Sequence, residues 1–381
     1  MGKNHIYEFD VLRIIGALSV LMYHYTFRCT FVDGTRVPMF PAMEILTKYG
    51  YLGITAFFMI SGFVILYSAL DKTSIHFIVS RMDRLYPIYW IAVSLTVLSD
   101  VVSGESCTLY TYLMNLTMLN DYFNVPDVDR VYWTLHAELK FYFCVFMLIL
   151  TGQVKRYHVW IPLWLALTVC YLLFRQPFFL AWFVNPFYSS YFISGILFYL
   201  IYTGEADWRH CAYLLLSCSV SAFTSIGQVE EFIPVPSLQD RAAAPIVVML
   251  IYALFYLISK RKISVGGSRI LLLLSSLTYP LFLLHDKIGK ALFDRLSPLA
   301  DTYIALIAVV LLIIALSFCV SKCAEQWYAF RWRRLAFSLL CARSIREIGK
   351  MPDASGGHAP AVQETLLEST AKVVSTGAKK T

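Results

Sequence analysis

Apolar residues run along this chain in blocks of about twenty, separated by short polar stretches. A block of that length crosses the ~30 Å hydrocarbon core of a bilayer when it is helical. The pattern predicts such helices over residues 9–30, 50–70, 86–102, 133–151, 157–174, 186–203, 209–226, 244–260, 270–286 and 303–323, ten in all. The stretch "RQPFFLAWFVNPFYSS", rich in proline and aromatics, reads over about residues 175–190 as a loop or as a re-entrant piece. Beyond residue 335 the pattern stops. The tail over 336–381 is polar and rich in Gly, Ala, Ser and Thr, the composition of disordered segments. Residues 1–335 form the transmembrane domain on this reading, and the tail is cytoplasmic.

Composition sharpens the class. Of 381 residues, 58% are hydrophobic and only 15% are charged, which excludes an ordinary soluble domain. The expected fold is all-α: a polytopic integral membrane protein of about ten transmembrane helices in one bundle. The net charge of +7 is not a nucleic-acid signal, because the basic residues sit mainly in loops. With the N-terminus inside, the basic loops "SKRKISVGGSR" and Lys155-Arg156 fall on the cytosolic side, as do Arg331, Arg333 and Arg334. That bias favours both termini cytoplasmic. No cleavable signal peptide is read, since Lys3 leads directly into a full-length span.

The nine cysteines show no C-x-x-C spacing, so neither a zinc site nor a disulfide framework is expected, although Cys29 and Cys107 remain candidates to pair. No metal-ligand constellation is read, and no Gly-rich nucleotide loop follows a strand.

Within the apolar blocks a few ionisable residues stand out, and such groups usually face a protein interior and carry function. Arg13 and His24 lie eleven residues apart, about three helical turns, so they share a face ~16 Å apart. Arg81 and Arg84, three apart, share a face at the entrance to the third block. Arg13, Arg81 and Arg84 therefore cluster toward the cytosolic side, where forked guanidinium groups suit phosphate. His24 and Glu138 fall about five residues from the opposite edge, so they reach similar depth. His285 lies at the outer end of the ninth block.

Five stretches, in order over about residues 8–330, resemble the acyltransferase 3 family of polytopic membrane acyltransferases. They are "FDVLRIIGALSVLMYHY", "GYLGITAFFMISGFVILYS", "FIVSRMDRLYPIYW", "WTLHAELKFYF" and "SSLTYPLFLLH". Against the family pattern, Ile14 replaces a frequent glycine, Leu139 replaces a frequent second glutamate, and Lys140 is an added intramembrane charge. Glu325 is similar to a family glutamate but is followed by Gln326 rather than proline. The resemblance implies an O-acyltransferase that moves an acetyl or other short acyl group from cytosolic acyl-CoA to a hydroxyl of a cell-surface glycan, lipid-linked sugar or exopolysaccharide. It also implies donor handling by Arg13, Arg81 and Arg84, and a bacterial inner (plasma) membrane location. No cofactor is expected to be bound; acyl-CoA, in all expectation acetyl-CoA, is the donor substrate.

On this reading His24 is the general base and Glu138 orients it, with His285 and Tyr279 on the acceptor side. An acyl-histidine intermediate and direct transfer are both open. The alternative function is a transporter or flippase of a lipid-linked sugar or small anion. Blander roles compete residue by residue. Arg13 pairs with Asp10; His24 is a packing histidine; Arg81 and Arg84 anchor the cytosolic face beside Asp83. Glu138 neutralises Lys140; His136 is structural; Tyr86, Tyr89 and Trp90 are interfacial aromatics; Ser61-Gly62 lets helices approach.

Overall fold

Each of the ten expected blocks lies on helix in the computed structural model, which describes residues 5–29, 40–70, 73–175 and 179–330. The expected tail over 336–381 and the basic group Arg331, Arg333 and Arg334 lie outside the described residues. In chain order the helices are α1 (Tyr7–Met22), continued by a π-helical turn (Tyr23–Arg28), α2 (Pro41–Thr47), α3 (Gly53–Ala69), α4 (Ser74–Val102) and α5 (Leu109–Leu116). There follow α6 (Trp133–Leu150), α7 (Tyr157–Phe174), α8 (Leu180–Phe183), α9 (Ser189–Thr203) and α10 (Trp208–Phe232). The last are α11 (Leu238–Ser259), α12 (Arg269–Leu284), α13 (Lys287–Leu296) and α14 (Thr302–Phe330). No strand occurs among the described residues.

Seven of these segments are long and apolar enough to cross a membrane, and eight if α12 and α13, bent by 78°, count as one span. The expected ten is not reached by that measure. At 15 residues, α9 spans only ~22 Å at the helical rise of ~1.5 Å per residue. The 16-residue α1 gains its remaining length as π-helix. Within the candidate re-entrant stretch, residues 180–183 form a single turn.

Small residues set the closest helix contacts. A Cβ on Gly62 of α3 would stand 2.0 Å from the Phe192 carbonyl oxygen of α9, and one on Gly195 would stand 2.0 Å from that of Met59. The two backbones therefore touch, which is the packing role read for Ser61-Gly62. Without a hydrophobic drive between helices in lipid, such close contact is what dispersion can use. α9 is buried along nearly its whole length, from Ser189 to Ile201, so a short helix sits at the centre of the bundle.

Tyr86, Tyr89 and Trp90 do more than sit at an interface. Their side chains donate to the carbonyls of Thr117, Asn115 and Leu116 at 2.9, 2.8 and 2.8 Å. The last carbonyls of a helix have no partner within it, so α4 caps the end of α5. His136 faces Asp127 at 3.4 Å, in keeping with a structural role. Cys29 and Cys107 are not joined in a disulfide, and the Cys29 thiol donates to the Tyr25 carbonyl at 2.6 Å.

Candidate functional site

His24 sits on the π-helical turn that continues α1. There five successive residues, Tyr23 to Phe27, are all buried. Five successive residues point nearly all round the helix axis, so this turn is enclosed by protein on every side, and such turns recur at functional sites. His24 is 8% exposed. Its Nδ1 lies 2.9 Å from Asp286 Oδ1, and the other carboxylate oxygen of Asp286 accepts from Arg130 Nε at 3.0 Å. With Nδ1–H given to the carboxylate, the lone pair of His24 is on Nε2.

The bend between α12 and α13 delivers Asp286 to this position, and three contacts hold the bend. The Tyr25 hydroxyl donates to the His285 carbonyl at 2.7 Å. The backbone N–H of Lys287 donates to Asp129 at 3.1 Å. Gly289 lies so close to the Tyr25 hydroxyl that an added Cβ would stand 1.9 Å from it. Asp129 also caps the turn that begins α6, taking the Val131 N–H at 3.2 Å. Lying outside the spans, its carboxyl is pushed up to about 8, first by burial and then by the charge of Asp286.

His285 is buried beside His24, the two rings edge to face with centroids 4.8 Å apart. Its Nδ1 donates to the Phe282 carbonyl at 2.7 Å, and its Nε2 has no hydrogen-bond partner. The fold thus brings His24 and His285 side by side.

The expected pairing of His24 with Glu138 does not occur. Glu138 instead takes hydrogen bonds from Ser61, at 2.8 Å, and from Tyr142. It lines a separate cavity of about 100 Å³ together with Arg13, Arg81, Arg84 and Tyr279. Depth arithmetic fixed how far along its helix Glu138 sits, but not the rotation of α6 about its own axis. Nor is Glu138 the counter-ion of Lys140, which pairs with Asp121 at 3.3 Å. Tyr279, expected on the side of His24, belongs instead to the arginine cavity and donates to the Leu85 carbonyl at 3.1 Å.

Arg13 does pair with Asp10, at 3.3 Å, and still lines the cavity. Arg81 is 9% exposed and packs over the rings of Phe77 and Tyr142. Its Nε and Nη1 are buried without a hydrogen-bond partner. A buried donor left unmade costs about 1–3 kcal/mol, more for a charged group. An anchor at the lipid edge would have no reason to bear that cost, whereas a site for an anion would.

The two cavities adjoin. The His24 cavity, about 190 Å³, is lined also by Arg28, Tyr51, Arg130, Trp133 and Glu231, and it shares Ile54 and Phe282 with the arginine cavity. Asp286 and Arg130 face onward into a wider polar recess of about 690 Å³. Basic groups, an imidazole–carboxylate pair and an open polar mouth therefore follow one another through the bundle.

Against known families, the chain matches the one described as "Acyltransferase domain" over residues 6–322. The chain belongs to that family. It is an integral membrane protein. It is also 24% identical over 213 residues to a protein of Acidianus two-tailed virus named "Putative acetyltransferase ORF330". That match covers 53% of this chain and 60% of the viral protein. No solved structure matches the chain.

Asp286 and Arg130 are the site residues that the sequence reading missed. The signal for Asp286 was an acid directly after His285 in "LLHDK", at the end of an apolar block where a lone carboxylate needs a partner. Arg130 looked like an ordinary loop charge.

Proposed function

We propose that this protein is a membrane O-acyltransferase that moves an acetyl or other short acyl group from acyl-CoA to a hydroxyl of a glycan or glycan precursor. The single observation that carries the proposal is the Arg81 guanidinium, whose Nε and Nη1 are buried without a hydrogen-bond partner in a cavity that adjoins the His24–Asp286 pair. Arg13, Arg81 and Arg84 bind the phosphates of the donor. Glu138, held by Ser61 and Tyr142, offsets part of their mutual repulsion. The basic-loop bias supports an orientation with both termini cytoplasmic, in a plasma membrane, and the arginine cavity toward the cytosol.

The acyl group reaches past Ile54 and Phe282 to His24. There Nε2 takes the proton of the acceptor hydroxyl as its oxygen attacks the thioester carbonyl. The carbon–sulfur bond breaks, and the protonated imidazole returns its proton to the departing CoA thiolate. Asp286 holds the ring through Nδ1 and stabilises the imidazolium while it exists. Trp133 and Tyr51, on the wall of the His24 cavity, give a sugar ring apolar faces to lie against.

The test uses the purified protein in proteoliposomes with acetyl-CoA and an oligosaccharide acceptor, read by CoA release and by mass spectrometry of the sugar. Wild type is expected to release CoA only with acceptor present, and His24→Ala is expected to lose transfer while inserting normally. Undiminished transfer by His24→Ala ends the mechanism. Movement of the sugar across the bilayer with no CoA release favours a transporter instead.

A further inference from the structure

His158 is the second residue of α7, and Asp207 and His210 open α10. One potential ligand atom from each lies within 4.8 Å of the other two, and the two imidazoles are 4.7 Å apart, centroid to centroid. Their rigidity differs. His210 is 2% exposed and fixed by the helix cap: its Nδ1 lies 2.8 Å from the Asp207 carboxylate and 3.1 Å from the Asp207 amide nitrogen. Its Nε2 is buried with no hydrogen-bond partner. His158 and Asp207 are exposed; the Asp207 carboxylate is anchored through Oδ1 by the N–H groups of Arg209 and His210, whereas the His158 side chain is free of the cap. None of the three lines any of the cavities described above.

We infer that His158, Asp207 and His210 form a binding site for one divalent transition-metal ion, which ties the start of α7 to the start of α10. Two imidazoles and a carboxylate suit zinc, nickel or copper rather than calcium or magnesium. Bonds of ~2.0–2.2 Å to a tetrahedral ion place ligand atoms about 3.4 Å apart; Asp207 and His210 already stand within that distance, and rotation of the exposed His158 side chain brings in the third ligand. Arg209, the residue before His210, lies over the Trp208 ring. This revises the sequence reading, in which no metal constellation appeared. Short spacings mark metal sites in a sequence, and here 49 positions separate His158 from Asp207.

The experiment uses the full chain in detergent, stripped with a chelator and then titrated with Co²⁺ and with Zn²⁺. Expected are one ion per chain, a rise in Tm on binding, and a cobalt spectrum without thiolate charge transfer despite the cysteines. His158→Ala, an exposed change that leaves the cap intact, is expected to weaken binding more than about tenfold and to erase the Tm rise. Equal affinity in wild type and His158→Ala, a sulfur-dominated cobalt spectrum, or no retained ion in wild type would each overturn the site. Acyl transfer does not enter the readout, so failure here is separate from failure of the enzymatic reading.

Discussion

In the cavity lined by Arg13, Arg81 and Arg84, two guanidinium nitrogens of Arg81 are buried with nothing to bond. Across the wall formed by Ile54 and Phe282, His24, Asp286 and Arg130 are linked in a chain. Arg81 leaves its charge unsatisfied, whereas the His24–Asp286–Arg130 chain satisfies its own within the protein. Open charge suits a group whose ligand brings the missing partner, because binding then recovers the lost hydrogen bonds. Closed charge suits a group whose orientation must be fixed before the reaction, because no reorganisation remains for the moment of proton transfer. On the proposed function, binding falls to the first cavity and chemistry to the second, and each role can be broken separately.

The largest effect is expected at Asp286. Asp286→Asn keeps the shape but removes the charge that steadies the imidazolium. It should lower kcat by about 10²-fold or more and leave the donor KM close to wild type. That split matters, because a merely structural Asp286 would lower the amount of folded protein instead. Wild-type kcat in the variant would remove the chemical role from the second cavity.

A smaller effect, of opposite kind, is expected at Arg81. Arg81→Gln should raise the KM for acyl-CoA about tenfold, the equivalent of ~1.4 kcal/mol, while kcat stays near wild type. Its Tm should hold or rise, since the substitution removes a buried cation that makes few hydrogen bonds. A fall in Tm with unchanged KM would make Arg81 a structural group and the cavity something other than a donor site.

How much of this contrast the sequence disclosed follows from what each part depends on. Helix positions were legible because bilayer thickness sets the length of apolar blocks, and the grouping of Arg13 with Arg81 and Arg84 followed from depth alone. Depth is one coordinate; rotation about a helix axis is another, and it decides which carboxylate meets His24. α3 is apolar on nearly every face, and the polar residues Thr134, His136, Glu138 and Lys140 of α6 point in several directions, so neither block carries a clear rotational signal. Glu138 was therefore assigned to the wrong cavity. Asp286 escaped because it lies at a 78° break, where helical periodicity ceases to apply. The π-helical turn under His24 left no trace in the pattern either, since it consists of residues that an α-helix accepts equally well.

The smallest effect tests why Asp286, rather than its neighbour, is the charged member of the second cavity. Asp129 and Asp286 act on each other through charge, but only Asp286 is matched by His24 and Arg130. Asp129 has two backbone N–H donors, which do not outweigh burial and the neighbouring charge, and its carboxyl rises to about 8. An acid whose pKa is higher folded than unfolded binds more protons when folded. Its contribution to stability is complete below the ordinary carboxylate value of about 3.9 and is lost as pH rises through about 8. Asp129→Asn stays neutral throughout, so its Tm should fall less than that of wild type between pH 6 and pH 9, by a few degrees on the order expected for ~1 kcal/mol. Parallel melting curves across that range would mean that Asp129 is ionised with its neighbour, and that the second cavity holds more negative charge than His24 and Arg130 can match.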